Sequence, residues 1–240
     1  MRYRRSSKLK QWMSSGLFSL LAWFAILSIG TACAPHEHRH QHRLPNVTEY
    51  LDRLDRAERD VDQKPAEVIH ALDLKPGMAV ADLGSGSGYF TRRFRERVAP
   101  GGMVYAIDVE PKALEYIQTH LGPAERPASG ITFIHADPDE SKLAPESVDL
   151  LFLCNTYHHI ENRSRYFSRA ARAIRPGGRL AIIDFYADRR SGELGFPKDH
   201  LISREQVIDE LTRAGYRLAR EHTFLPRQYF LEFDPSPSRR

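Results

Sequence analysis

Val80-Ala81-Asp82-Leu83-Gly84-Ser85-Gly86-Ser87-Gly88-Tyr89-Phe90 is the stretch that decides the fold. A short apolar run, with Met78, Val80 and Leu83 as its larger members, leads into glycines that alternate with serines. Phe90, Phe94 and Val98 then recur at helical spacing. The pattern predicts a strand, a glycine loop and a helix. Gly84, Gly86 and Gly88 allow φ > 0 and the close approach of a ligand. The helix behind them offers unpaired N–H groups and a partial positive charge. In such a unit an acid at the end of the next strand can bond ribose hydroxyls. Asp108 closes Met103-Val104-Tyr105-Ala106-Ile107 at the expected distance. The arrangement predicts a site for a cofactor built on a nucleoside.

Spacing separates the cofactors. Dinucleotide folds typically read G-x-G-x-x-G, whereas this loop reads Asp82-x-Gly84-x-Gly86-x-Gly88. That argues against an NAD-dependent oxidoreductase. The loop, with its acid ahead of the first glycine, resembles motif I of the class I S-adenosylmethionine (SAM)-dependent methyltransferases. Further features lie in family order. They are Asp108, then His135-Ala136-Asp137 after the strand Ile131–Ile134, and Val148-Asp149-Leu150-Leu151-Phe152-Leu153 as strand four. Arg175-Pro176-Gly177-Gly178-Arg179-Leu180 is the turn into strand five. The likeness runs from about Gln63 to Phe233.

The resemblance implies roles for particular residues. The loop, with Gly84, Ser85, Gly86 and Gly88, would face the methionine part of the cofactor. Asp82 would organise the loop and meet the methionine amine. Asp108, with Val109 beside it, would take the ribose hydroxyls, and Asp137 the adenine amino group. Asn155 joins this cofactor set at the end of strand four. Asn155-Thr156-Tyr157-His158-His159 falls where substrate meets the methyl group in the family. Tyr157 and His158 are candidate substrate contacts. His158, slightly ahead of His159, is the candidate general base, since imidazole titrates near neutrality. The alternative for the pair is local packing. No third partner makes the pair a metal site. Phe196 and His200 are candidate substrate contacts in the polar stretch from Tyr186 to Ile202, after strand five.

Alternating strands and helices imply an α/β, Rossmann-like, doubly wound sheet of seven strands. It should be mostly parallel, with ligands at the carboxyl ends of the strands. Strand five, Leu180–Phe185, is nearly all apolar, as a strand covered on both faces should be. Ser203-x-x-Gln206 is a capping box for a helix that Gly215 ends. Strands over about Tyr216–His222 and Gln228–Phe233 then resemble the antiparallel β-hairpin finish of the family. Before the sheet, Glu49–Asp60 predicts one helix and Pro65 opens another. This N-terminal segment covers the cofactor in related methyltransferases, which makes Tyr50, Gln63 and Lys64 pocket candidates. Helices are also expected over Pro111–Leu121 and about Asn162–Ile174.

Three segments follow: residues 1–33 as a signal, 34–47 as a His-rich linker and 48–240 as the methyltransferase domain. The net charge of +4 is uneven. Residues 1–33 hold Arg2, Arg4, Arg5, Lys8 and Lys10 and no acid, so the remainder is close to neutral. The basic pI therefore gives no case for nucleic-acid binding. Trp12 to Ala34 carries no charge. Basic residues, an apolar centre at Leu17–Ile29 and small residues after it read as a secretory signal. Gly30-Thr31-Ala32-Cys33 resembles a bacterial lipobox, with Gly30 where leucine is usual, which makes Cys33 a lipidation candidate. The alternative is an uncleaved signal anchor. Either attaches the chain to a membrane by its N-terminus, facing the periplasm or the exterior. His36, His38, His40 and His42 alternate with polar residues, as a solvated linker or a loose metal site.

Cys154 ends an apolar strand and reads as a buried small hydrophobe. A single cysteine in the domain argues against arsenite methylation, whose enzymes use several. With no added recognition domain visible, the expected activity is methyl transfer from SAM to a small molecule, resembling the quinone-biosynthesis type. The alternative is an exported, non-catalytic domain that binds a small ligand on the same fold.

Overall fold

The computed structural model describes residues 46–122, 130–194 and 198–236. The signal segment, Cys33, residues 34–45 of the His-rich linker and Phe196 lie outside the described residues, while Asn46 and Val47, at the end of the expected linker, already cap and begin the first helix.

Seven strands form one sheet in the order β3-β2-β1-β4-β5-β7-β6. β1 (Ala79–Leu83), β2 (Met103–Asp108), β3 (Ile131–His135), β4 (Val148–Cys154) and β5 (Ile174–Phe185) are parallel. β6 (Tyr216–His222) and β7 (Gln228–Pro235) are antiparallel, and β7 pairs with β5. Every residue of β1 is buried, as a central strand covered on both faces requires. The chain reverses direction across the sheet between β1 and β4, and the carboxyl ends of these strands therefore flank a crevice.

Helices α1 (Val47–Leu54), α2 (Arg59–Gln63) and α3 (Pro65–Ala71) precede the sheet. α4 (Tyr89–Val98), α5 (Pro111–His120), α6 (Arg163–Ala170) and α7 (Arg204–Ala214) connect the strands. α4 buries Phe90, Phe94 and Val98 against the sheet, where Phe90 and Phe94 each meet Phe152 with ring centroids 4.9 Å apart. On the other face Phe167, Tyr157, Val207 and Leu211 pack below β4 and β5. α7 begins with one half of the predicted capping box, because the Gln206 side chain turns forward to donate to Glu210 at 2.8 Å. The Ser203 hydroxyl accepts from the Gln206 N–H at 3.2 Å, and Gly215 ends the helix in the left-handed region.

The structure departs from the sequence reading in three places. The helix expected over Glu49–Asp60 is two helices, with Asp55 closing α1 and a turn before Arg59. The helix expected to reach Ile174 ends at Ala170, followed by a 3-10 turn at Ala171–Ala173. Strand five begins at Ile174, earlier than Leu180, because Ile174 already pairs with Val148. Arg175 to Gly178 then loop out as an irregularity, since the next pair is Leu150 with Arg179.

Phe152 is fully buried between the sheet and α4, in contact with both Phe90 and Phe94. Phe152→Ala should lower stability by about 3–5 kcal/mol, read from urea unfolding.

Candidate functional site

At the carboxyl ends of β1, β2, β3 and β4 lies a cavity of about 280 Å³. Each strand end contributes a polar residue: Asp82 from β1, Asp108 from β2, Asp137 just beyond β3 and Asn155 just beyond β4. Gly84, Ser85 and Gly86 form its floor, and Val109 and Ala136 line the end near Asp137. Tyr50, Leu54 and Arg59 close it from the N-terminal helices.

Close packing shapes the floor. Gly84 has φ +74°, and a Cβ built on it would lie 2.3 Å from Thr156 Oγ1. Gly88, at φ +79°, starts α4, and a Cβ there would lie 2.8 Å from Ile117 on α5. The loop can turn and stay pressed between β4 and α5 only without side chains at these positions. Its two serines behave differently. Ser85 and Ser87 are buried, and neither hydroxyl has a hydrogen-bond partner. A buried polar atom without a partner costs free energy until a ligand satisfies it.

The acids are held in distinct ways. Asp108 accepts the Gly86 N–H at 2.9 Å and the Glu110 N–H at 3.0 Å. Burial pushes its carboxyl above the usual range, against those N–H groups, which favour the anion. Asp82 is almost fully buried and accepts the Thr91 hydroxyl at 2.5 Å. Burial pushes its carboxyl up to about 6 from an ordinary 3.8, opposed by that hydrogen bond. Asp137 is the exposed member, and Lys142 lies 3.1 Å from it.

The turn after β4 sorts its side chains in three directions. Tyr157 does not reach the cavity. It is fully buried in the core, and its hydroxyl donates to Glu210 at 2.8 Å. His158 also turns away from the cavity, with Nδ1 at 2.8 Å from the buried Asp184 carboxylate. His159 is the one that lines the cavity. Priority between the paired histidines therefore passes from His158 to His159. His200 is exposed beside Asp199, at 3.7 Å, and is not part of the cavity wall.

Thr156, in the stretch expected to meet substrate, lines the site, as do Arg59, Ile160 and Tyr166, which the sequence does not single out. Arg59 lies over the Tyr89 ring, 4.2 Å from its centroid, and donates to the Leu54 carbonyl at 2.7 Å. Its sequence signal is weak, because Arg59 reads as one more charge on a long polar helix. Of the cover residues suggested by position, Tyr50 lines the cavity and Gln63 is buried behind it. Lys64 points elsewhere, donating to the Phe224 carbonyl at 3.0 Å. Among the described residues no group of three His, Cys, Asp or Glu could hold a metal ion.

A doubly wound sheet whose glycine loop faces a row of strand-end acids defines a nucleoside-cofactor domain. Comparison with known proteins points the same way. The family profile described as a methyltransferase domain matches residues 81–182. Malonyl-[acyl-carrier protein] O-methyltransferase of Methylococcus capsulatus is 33% identical over 46% of this chain and 38% of its own. The ubiquinone/menaquinone biosynthesis C-methyltransferase UbiE of Ectopseudomonas mendocina is 25% identical over 49% of this chain and 45% of its own. The chain thus matches less than half the length of each of these relatives. A SAM-dependent methyltransferase structure from Aquifex aeolicus superposes with a TM-score of 0.70, at 24% identity, over 78% of this chain and 97% of that one. Residues 81–182 thus match a methyltransferase-domain family, on a fold shared with a solved SAM-dependent methyltransferase.

The buried acid has a pH signature. A carboxyl raised on folding favours the folded state fully below its unfolded value and loses that contribution as pH rises through its folded value. For Asp82 the window runs from 3.8 to about 6, and the loss across it amounts to about 3 kcal/mol. Asp82→Asn should flatten urea stability across that window and exceed the wild type in stability above it.

Proposed function

We propose that the domain transfers the methyl group of SAM to a small-molecule acceptor at this cavity. The observation that carries the reading is the pair of buried serine hydroxyls without partners, on a loop facing Asp108. The lining suits the cofactor: Asp108 and Gly86 for the ribose, Asp137 with Val109 and Ala136 for the adenine, and Asp82 with the loop for the amino-acid end. SAM supplies an electrophilic methyl on a sulfonium centre. The protein then has to align the acceptor with that carbon and exclude water, and general-base help is needed only for an acceptor that arrives protonated. His159, on the cavity wall, is the side chain placed to take such a proton. His158, held by Asp184, supports the turn from behind. The two named relatives are an O-methyltransferase of malonyl-[acyl-carrier protein] and a C-methyltransferase of ubiquinone/menaquinone biosynthesis, so what they share is the methyl transfer.

Calorimetric titration of SAM and of S-adenosylhomocysteine tests the reading. Both should bind the wild type, and Asp108→Ala should weaken them by about ten- to a hundredfold through loss of charged hydrogen bonds. A folded wild type that binds neither would overturn it.

We further propose that residues 1–33 direct the chain to the cell envelope, with Cys33 as the lipidated residue. Support comes from the basic start, the uncharged run from Trp12 and the position of Cys33 at its end. Radiolabelled fatty acid should mark the wild type and not Cys33→Ala. An unlabelled wild type would return the segment to the uncleaved-anchor reading.

A further inference from the structure

A chain of directed hydrogen bonds runs from the cover to the strand rim. Arg59 approaches the Cys154 sulfur at 4.0 Å. The Cys154 thiol donates to Gln63 Oε1 at 3.0 Å. Gln63 Nε2 donates to Gln228 Oε1 at 2.7 Å, and Gln228 Nε2 donates to Asn155 Oδ1 at 2.6 Å. Gln63 and Gln228 are buried. The chain joins α2, β4 and β7, so residues far apart in sequence set one another's polarity.

Its direction follows from the end members. A guanidinium can only donate. Were the amides reversed, the sulfur would face donors from both Arg59 and Gln63, and the thiol proton would have no acceptor. Sulfur is a weak acceptor, so that arrangement is disfavoured. Burial pushes the Cys154 thiol up to about 12, which keeps its proton in place at neutral pH. With Oδ1 engaged, Asn155 has Nδ2 left to offer. Asn155 lines the cavity, and Nδ2 meets no acceptor among the described residues. Its neighbour Asp184 does not compete for it, since that carboxylate accepts from His158 Nδ1, the His158 N–H and the Phe185 N–H.

The cavity is therefore polarised. Its acids stand on the β1, β2 and β3 side, and its donors, Arg59 and Asn155, at the β4 end and the cover. The acid half suits the hydroxyls and amino groups of the nucleoside and amino-acid parts. The donor half suits negative charge on oxygen.

We infer that the methyl acceptor presents an oxyanion, of the phenolate or enolate kind, to Asn155 Nδ2, and that Gln63 and Gln228 are positioning residues that fix this amide as a donor. The inference rests on the methyltransferase reading and moves Asn155 from the cofactor to the acceptor. An anionic acceptor brings its own electron pair. That pair forms the new bond to the methyl carbon, the pair of the broken S–C bond stays on sulfur, and the opposite charges of acceptor and sulfonium cancel. No proton has to be removed.

The test uses the protein loaded with S-adenosylhomocysteine, with 4-nitrophenolate as anionic probe and 4-nitrobenzylammonium as cationic probe. Isotope-edited NMR follows the Asn155 side-chain amide, assigned by its loss in Asn155→Asp. The phenolate should shift that amide and bind about tenfold or more tightly than the ammonium. Asn155→Asp should lose the phenolate preference while S-adenosylhomocysteine affinity is kept. Gln228→Leu, which frees Oδ1, should also erase the preference and keep cofactor affinity, whereas a merely structural role would weaken cofactor and probe together. A stronger ammonium complex, no shift by either probe, or equal loss of both probes in Asn155→Asp would overturn the inference. Failure of wild type to bind S-adenosylhomocysteine would instead overturn the methyltransferase reading beneath it.

Discussion

Gly84 cannot carry a side chain, and much of the site depends on that. The loop after β1 is pressed against Thr156 at the end of β4, where even a methyl group would overlap the threonine. Because the loop lies so close, its Gly84 and Ser85 N–H groups donate to the Ile107 carbonyl of β2, and the Gly86 N–H reaches the Asp108 carboxylate at the end of β2. One close approach thus ties together β1, β2 and β4 at their carboxyl ends. The helix that follows starts at Gly88 for a similar reason, since Ile117 of α5 occupies the space a side chain would need. Backbone geometry places the floor of the site, and side chains from other strands then decorate it.

Stability is given up within that floor. Asp82 is nearly fully buried with one hydroxyl partner, and Asp108 is raised by burial despite two N–H bonds. Two serine hydroxyls are buried without partners. Each arrangement costs free energy by itself and is relieved by a ligand that brings cationic and hydrogen-bonding groups. Elsewhere the same fold satisfies its buried charges. Glu232, for example, meets Arg179 at 2.5 Å and His222 at 2.7 Å. The contrast marks the cavity as the place where strain is kept for function.

Much of the fold was legible in the sequence because its signals are local. The glycine loop, the apolar strands, the Ser203 capping box and Asp108 at a strand end each announce themselves within a few residues. The turn after β4 was harder. Tyr157, His158 and His159 are consecutive, yet their partners are Glu210, Asp184 and the cavity, and such partners cannot be read from adjacency. Arg59 was hidden for a related reason. A single helix over Glu49–Asp60 would leave it on a polar face, and only the break after Asp55 directs it over Tyr89 and into the site. Gln63 and Gln228, which lie 165 residues apart, carried no sequence sign of meeting.

The most direct measurement is a crystal structure of the protein with S-adenosylhomocysteine. The account predicts ribose hydroxyls within about 3 Å of the Asp108 carboxylate, the adenine beside Val109 and Asp137, and the amino-acid end over the loop that holds Ser85 and Ser87. A nucleoside bound elsewhere, with both serine hydroxyls still unpartnered, would contradict it.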